Sequence, residues 1–292
     1  MLKMIFIVGP TGVGKSALGL ELALKHDGEI VSADAMQVYS QVNIACDKPS
    51  KDMRAKVVHH CLDVTSVTAE YNVAQFRKAA VASIVDISTR GKLPIVVGGS
   101  GMYINILLDG IFESGIIDRS VRGKLLDRAE VEGAQVLHVE LTKLDPDAAA
   151  NIHPNDTKRI VRALEVIFVN NKPISQMQKD RQGLWGQHDI RIIGLDRPRE
   201  VLYAMAEERV ERMFANGLVE EVKALLQLPL SRTAKTLIGI PEVRGYLEGA
   251  YDLEYAKYLL KRNTRHYVKR QLTWFRRDKR IEWIEAGKGF DL

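Results

Sequence analysis

The chain carries Gly9-Pro10-Thr11-Gly12-Val13-Gly14-Lys15-Ser16 directly after the apolar run Met4–Val8 and before a stretch with Leu18, Leu22 and Ala23 at helical spacing. This is GxxxxGK[ST] between a strand and a helix, the context in which the motif binds phosphate. Each residue type has a task. The glycines let the backbone wrap an anion with its N–H groups, and the helix start adds positive potential. Lys15 neutralises the terminal phosphates, and the Ser16 hydroxyl can ligate magnesium. Residues 9–16 are therefore the candidate phosphate site, with Lys15 a candidate catalytic cation and Ser16 the candidate metal ligand. A glycine-rich turn that binds nothing explains the flanking elements poorly.

Phosphate binding does not by itself mean ATP hydrolysis, because a diphosphate satisfies the same amides. Hydrolytic relatives of such loops place a magnesium-holding Asp at the end of an apolar strand. Here Leu93–Val97 ends in Gly98-Gly99-Ser100-Gly101, and no comparable apolar run with a terminal Asp is expected after it. Asp34 follows the second apolar run, Glu29–Ala33, and is expected on the carboxyl edge of the sheet beside the phosphate loop, where ligands of open α/β folds bind. A strand-end carboxylate that merely caps a turn is the plainer alternative.

These residues need elements to hold them. Apolar runs at 4–8, 29–33, 93–97 and 190–195, separated by the helical patterns 16–25 and 71–90, predict a parallel sheet covered on both faces by helices. From about Asp118 to Gln187 the periodicity turns helical, with Leu125, Leu126, Ile160, Val161 and Leu164, and predicts an all-helical insertion. The expected organisation is a core in two parts, 1–117 and 190–292, around an insertion at 118–189. Long helices are predicted over 199–226 and 253–276.

The last helix is basic. Lys257, Lys261, Arg262, Arg265, Lys269, Arg270, Arg276, Arg277, Lys279 and Arg280 stand against the single acid Asp278 between positions 257 and 280. At 100° per residue, Arg262, Arg265, Lys269 and Arg276 share a face opposite Leu260, Tyr267 and Trp274. Lys158, Arg159 and Arg162 form a second basic cluster. A solvated face is the usual meaning of such charge, but beside a phosphate site it points to contact with nucleic acid. The formal charge of +5 and pI of about 9.1 agree with a polyanionic partner without requiring one.

Several segments together resemble the bacterial tRNA dimethylallyltransferase (isopentenyl-tRNA transferase) family. They are the phosphate loop, Ser32-Ala-Asp-Ala-Met-Gln-Val-Tyr39, Lys48-Pro-Ser50, His59-His60, Gly98-Gly-Ser-Gly-Met-Tyr103, Ile152-His-Pro-Asn-Asp156, Arg159-Ile-Val-Arg-Ala-Leu-Glu165, Gly217-Leu-Val-Glu-Glu221 and Lys269-Arg-Gln-Leu-Thr-Trp-Phe-Arg276. The resemblance implies a P-loop core, a helical insertion gripping the anticodon arm, a magnesium diphosphate at the loop, and a target adenosine flipped into a channel. It implies that Asp34 is the general base, Ser100 a channel residue touching the base, and Arg209 a cation near the diphosphate. It further implies tRNA contact at Asp34, Ala35, Met36, Gln37, Ser100, Arg122, Lys158, Arg159, Arg162, Arg265, Lys269, Arg270 and Arg276. Three departures stand out: Ala45-Cys46-Asp47 where the family usually has Gly-Thr-Ala, Met205 where a basic residue is common, and Ile240-Pro241 after Gly239.

The expected reaction is transfer of a dimethylallyl group from its diphosphate to the N6 amine of the adenosine 3′ to the anticodon. Competing readings are an isopentenyl transferase acting on free adenine nucleotide, a P-loop small-molecule kinase, and a tRNA-binding module without chemistry. The first would not need the basic helix, the second would be expected to have an arginine-bearing lid, and the third leaves Lys15 and Asp34 without a use. Cys46 and Cys61 lack the spacing of a zinc site or a disulfide framework and read as ordinary thiols. No stretch approaches the roughly 20 apolar residues of a membrane span, and no leader cleavage pattern follows the apolar start. A cytoplasmic monomer without an obligate protein partner is the expectation.

Overall fold

The apolar runs near the N-terminus have no polar face, so each must be buried on both sides. The computed structural model, which describes residues 2–112 and 119–287, places them so. In chain order come β1 (Lys3–Val8), α1 (Lys15–Lys25), β2 (Gly28–Ser32), α2 (Lys51–Lys56), β3 (His59–His60), α3 (Val73–Thr89), β4 (Leu93–Gly98) and α4 (Gly101–Asp109). A helical stretch follows with α5 (Arg119–Glu132), α6 (Ala134–Leu144), α7 (Pro146–Ala150), α8 (Thr157–Asn170) and α9 (Ile174–Lys179). The chain then returns through β5 (Asp189–Asp196), α10 (Arg199–Ala215), α11 (Leu218–Leu225), a 3₁₀ turn at Ala234–Thr236, α12 (Ile240–Leu247), α13 (Leu253–Phe275) and β6 (Ile281–Glu285).

The described strands form one parallel sheet in the order β3-β2-β4-β1-β5-β6. Placing β4 between β1 and β2 sets three carboxyl ends side by side: the phosphate loop after β1, Ala33-Asp34 after β2, and Gly99-Ser100 after β4. One face of the sheet packs Ile5, Ile7, Ile95, Val97 and Ile193 against Leu22, Ala206, Val268 and Leu272 of α1, α10 and α13. Each fully buried side chain of this size stabilises the fold by about 1.5–3 kcal/mol. α3 contributes the buried stripe Phe76, Ala80, Ile84 and Ile87. Its start is fixed by a capping box, in which Asn72 accepts from the N–H groups of Ala74 and Gln75 while the Gln75 side chain accepts from the N–H of Asn72.

Two compact units emerge, residues 1–108 with 185–292, and residues 109–184. The helical unit therefore starts and stops earlier than the 118–189 expected from periodicity. Asp189 already pairs with Lys3 in the sheet, and the expected edge at 117/118 lies outside the described residues. Within the helical unit, α5, α6 and α8 enclose Leu125, Leu137, Leu141, Ile160, Val161 and Leu164.

Three further expectations need correction. The single helix predicted over 199–226 is two, because Gly217 takes φ +94° and turns the chain between α10 and α11. β3 and β6 were not anticipated. Finally, an apolar strand ending in Asp does follow β4: β5, the neighbour of β1, ends at Asp196. That carboxylate accepts from Arg276 Nη2 at 2.9 Å and from the backbone N–H of Arg197, so its charge is already paired within the protein.

Candidate active site

Three glycines shape the phosphate loop. Gly9, Gly12 and Gly14 take φ of +140°, +80° and +109°, values that cost other residues strain. A side chain at Gly9 would also meet the Leu195 carbonyl at 2.7 Å. Lys15 opens α1 and folds back, its Nζ donating to the Pro10 carbonyl at 2.7 Å. Partial withdrawal from water lowers its pKa to about 8; Asp34 and Asp47 oppose the shift, and Arg209 adds to it. Ser16 is exposed at the start of the same helix.

Asp34 is half-buried just beyond β2. Its Oδ1 accepts from the N–H groups of Met36 at 2.8 Å and Gln37 at 3.4 Å, an Asx turn that fixes the carboxylate. The capping role is thus real, yet among the described residues nothing donates to Oδ2. Ser100 Oγ accepts from the Ala35 N–H at 3.0 Å, so the loops after β2 and β4 are joined beside Asp34. Tyr267 of α13 lies beside Ser100, and burial pushes its hydroxyl up to about 12.

Gln271 closes the assembly. Buried on α13, it accepts from the Thr11 N–H at 2.9 Å and donates to the Gly99 carbonyl at 2.9 Å. The glycines after β4 make this possible. A Cβ at Gly98 would lie 2.2 Å from the Ala33 carbonyl, one at Gly99 2.4 Å from Gln271, and one at Gly101 2.3 Å from Trp274. An acid in that loop would have no room, which explains why β4 ends in glycines.

These elements surround two adjoining compartments that share Thr11, Lys15, Asp34, Cys46, Gly99 and Arg209. One is polar, adding Gly12, Gly14, Ser16, Gln37, Asp47, Glu208 and Arg212. The other is mostly apolar, with Met36, Ala45, Val210, Met213, Leu237, Ile238 and Leu260 beside Tyr267 and Arg270. Arg209 spans the boundary: Nη1 donates to Thr11 Oγ1, and Nε lies 3.4 Å from Asp47 Oδ2. An anion seated in the polar compartment would place whatever it carries in the apolar one, within reach of Asp34. Burial raises the Cys46 thiol well above its ordinary range, so it is no nucleophile.

The fit of a magnesium ion can be judged from the donors. Among the described residues no group of three or more His, Cys, Asp or Glu could hold a metal. The loop instead offers the Ser16 hydroxyl beside amides arranged for phosphate, the donor set of an ion that takes most of its oxygens from phosphate and water. The residues fit that ion.

The other predicted residues divide. On α13, Lys269 is exposed, Arg270 lines the apolar compartment and Arg265 pairs with Glu207 of α10, while Arg276, just past the helix end, pairs with Asp196. Arg265 is thus held as an interhelical tie rather than left as a free cation. In the helical unit, Arg122, Lys158, Arg159 and Arg162 line a basic cleft with Arg181 and Lys179. Buried Glu165 accepts there from Arg122 at 3.2 Å and Arg162 at 3.1 Å, holding both guanidinium groups in place. Asp156 caps α8 by accepting from the Arg159 N–H at 3.2 Å, so the Ile152–Asp156 segment acts locally as a helix start. Sequence reasoning missed Gln271, Tyr267, Asp47 and Glu221. Gln271 and Glu221 fall inside segments that carry the family resemblance, Asp47 inside a departure from it and Tyr267 on the apolar face of the last helix, but none was assigned a role in the site; the Glu221 carboxylate accepts from the N–H groups of Asn43, Ile44 and Ala45.

Comparison with known proteins agrees with this geometry. The profile of the IPP transferase family matches residues 37–278. The tRNA dimethylallyltransferase of Geobacter metallireducens is 45% identical over 291 residues, covering 99% of this chain and 94% of its own. That of Carboxydothermus hydrogenoformans is 46% identical over 288 residues, covering 98% and 93%. Among solved structures, the tRNA isopentenylpyrophosphate transferase of Bacillus halodurans superposes with a TM-score of 0.72 at 37% identity, covering 98% of this chain and 90% of its own. A eukaryotic dimethylallyltransferase, captured in snapshots of its action on tRNA, gives 0.85 at 31% identity, covering 99% and 75%. With the family profile spanning most of the sequence and relatives aligned along nearly all of it, this chain belongs to the IPP transferase family, the tRNA dimethylallyltransferases.

Proposed function

We propose that this protein transfers a dimethylallyl group from dimethylallyl diphosphate to the exocyclic N6 amine of the adenosine 3′ to the anticodon of tRNA, releasing diphosphate. The observation that carries the reading is the meeting of a phosphate compartment and an apolar compartment at Lys15 and Asp34. An allylic diphosphate has the same two halves, and the substrate names of the relatives agree with it.

In this reading the diphosphate sits on the amides of residues 11–16 with Lys15 and Arg209, and the five-carbon group lies against the apolar wall. The carbon–oxygen bond breaks, its electron pair leaving with the diphosphate, and the adenine nitrogen bonds to the allylic carbon. Charge develops on the leaving oxygens, which the loop amides and Lys15, once its Nζ exchanges the Pro10 carbonyl for the diphosphate, would stabilise. As the nitrogen bonds, its proton becomes acidic, and Asp34 Oδ2 takes it. Magnesium, when bound, neutralises diphosphate charge, with Ser16 as its protein ligand. Ser100 and Met36 stand where an extruded base would enter, and the cations Lys269 and Arg270 on α13, with Arg122, Lys158, Arg159 and Arg162 in the helical unit, serve the RNA backbone.

In this reading the enzyme acts as a monomer. Among the described residues no helix is long and apolar enough to cross a membrane; the reading places the protein in the cytoplasm, where its substrate is.

Incubation with radiolabelled dimethylallyl diphosphate, magnesium and either tRNA or AMP tests the proposal. Label is expected in tRNA and not in AMP; label in AMP alone would establish the free-nucleotide transferase instead. For the basic helix, Lys269→Ala is the cleaner probe, since Lys269 is exposed whereas Arg265 is tied to Glu207. tRNA affinity should fall and its log–log salt slope flatten by about 1, the worth of one phosphate contact, while diphosphate affinity stays constant. An unchanged slope would make Lys269 a solvated surface residue.

A further inference from the structure

Asp47 places a carboxylate in a compartment otherwise built for an anion. Its position is firmly determined. Glu221 of α11 ties down the preceding turn through the N–H groups of Asn43 at 2.8 Å, Ile44 at 2.9 Å and Ala45 at 2.9 Å. Lys48, the next residue, donates to the Tyr39 carbonyl at 2.8 Å and to Asp63 at 2.5 Å. The backbone N–H of Asp47 donates to the Ile44 carbonyl at 3.0 Å, with φ at +51°. The turn thus presents the Asp47 side chain, 63% exposed, to Arg209, which is only 14% exposed.

Arg209 is consequently held from two sides, by Thr11 of the phosphate loop and by Asp47. A diphosphate entering the polar compartment competes with Asp47 for the same guanidinium and is repelled by the same carboxylate. Lys15 and Arg212 attract the ligand, whereas Asp34 and Glu208 add further negative charge nearby. Arg212 is itself tied to Glu208 at 2.7 Å. Arg209, bonded to the phosphate loop and lining both compartments, is therefore a cation whose carboxylate partner changes when the compartment fills.

We propose that Asp47 is a positioning residue that acts as the exchange partner of Arg209: it holds the guanidinium in place while the compartment is empty, yields it to the incoming allylic diphosphate, and reclaims it so that product diphosphate leaves. The inference rests on the prenyl-transfer reading of this site. It concerns affinity and release rather than the bond-making step, because Asp47 touches Arg209 and not the reacting carbon.

The test measures binding of inorganic diphosphate by calorimetry, with and without magnesium, to the parent chain, Asp47→Asn and Asp47→Glu. Asparagine tolerates left-handed backbone as well as aspartate does, so the turn survives and only the charge is lost; an unchanged melting temperature checks this. Asp47→Asn should bind diphosphate roughly tenfold more tightly, the scale of one unit charge a few ångströms away in a wet site. Product inhibition by diphosphate should strengthen by the same factor, and Asp47→Glu should stay near the parent value. Equal affinity in Asp47→Asn and the parent overturns the exchange role. Weaker binding that raised magnesium restores also overturns it, making Asp47 a metal ligand. If the parent chain itself binds no diphosphate, the prenyl-transfer reading fails as well, which separates the two failures.

Discussion

Asp34→Asn should bind tRNA and diphosphate as the parent chain does and yet transfer the prenyl group roughly 100-fold or more slowly in a single turnover, the usual worth of a general base. The geometry makes this substitution unusually clean. Oδ1 of Asp34 anchors the Asx turn to Met36 and Gln37, and an asparagine oxygen can accept the same two hydrogen bonds. What changes is the other atom: Oδ2, which has no donor among the described residues, becomes an NH₂ group that cannot accept a proton. Binding contacts therefore persist while proton removal fails. A variant that instead lost magnesium diphosphate affinity and regained it at high magnesium would reassign Asp34 to the metal. A near-normal rate would remove it from the mechanism.

Lys15→Ala is expected to lower kcat/KM for the allylic diphosphate by about 10²–10³, the range seen when one preorganised group that stabilises developing charge is removed. Affinity and turnover should fall together, since this cation meets the leaving group before and during bond breaking. Misfolding would not account for the loss. With its folded pKa lowered from 10.5 to about 8, Lys15 binds its proton more weakly in the folded chain than in the unfolded one. Keeping it charged there costs stability below pH 8, so the alanine variant should melt no lower than the parent. The same shift sets a pH signature. Above pH 8 the unliganded Lys15 is increasingly neutral and must regain a proton to hold an anion. Diphosphate affinity should then weaken by up to about tenfold per pH unit between pH 8 and 10, with proton uptake on binding. Calorimetry in buffers of different ionisation enthalpy reads both effects, and Lys15→Ala should show neither. A pH-independent affinity in the parent would place Lys15 away from the diphosphate.

How far the sequence foretold this site depended on distance along the chain. The phosphate loop was legible because its geometry is written into consecutive residues: glycines at the positive-φ positions, then Lys15 and Ser16 opening a helix. Asp34 was legible because it closes a buried apolar run, and its placement needed only the strand order of an open sheet. Gln271 was not, because its partners Thr11 and Gly99 lie 260 and 172 residues away, and nothing within α13 marks it apart from other buried positions. Arg265 shows the same limit from the other side. A helical wheel groups it with Lys269, but only the packing of α10 beside α13 reveals Glu207 as its partner. Asp196 directly follows the run 190–195 that reads as a strand, but only the fold shows that strand beside β1 and its carboxylate paired with Arg276; the break at Gly217 escaped because buried residues continue on both sides, from Val210 and Met213 to Leu218 and Val222.

The reach of Gln271 has a consequence for how the protein is made. A ribosome adds about 5–20 residues per second, so the 260 residues between Thr11 and Gln271 separate their synthesis by roughly 10–50 s. Throughout that interval the nascent chain carries a complete phosphate-binding sequence whose loop has neither its clamp nor its connection to the strand end at Gly99. The N-terminal half cannot reach the finished geometry, with Thr11 and Gly99 bridged by Gln271, before the last long helix leaves the exit tunnel. The bridge between the phosphate loop and the end of β4 is thus a late addition, made only once α13 has been translated.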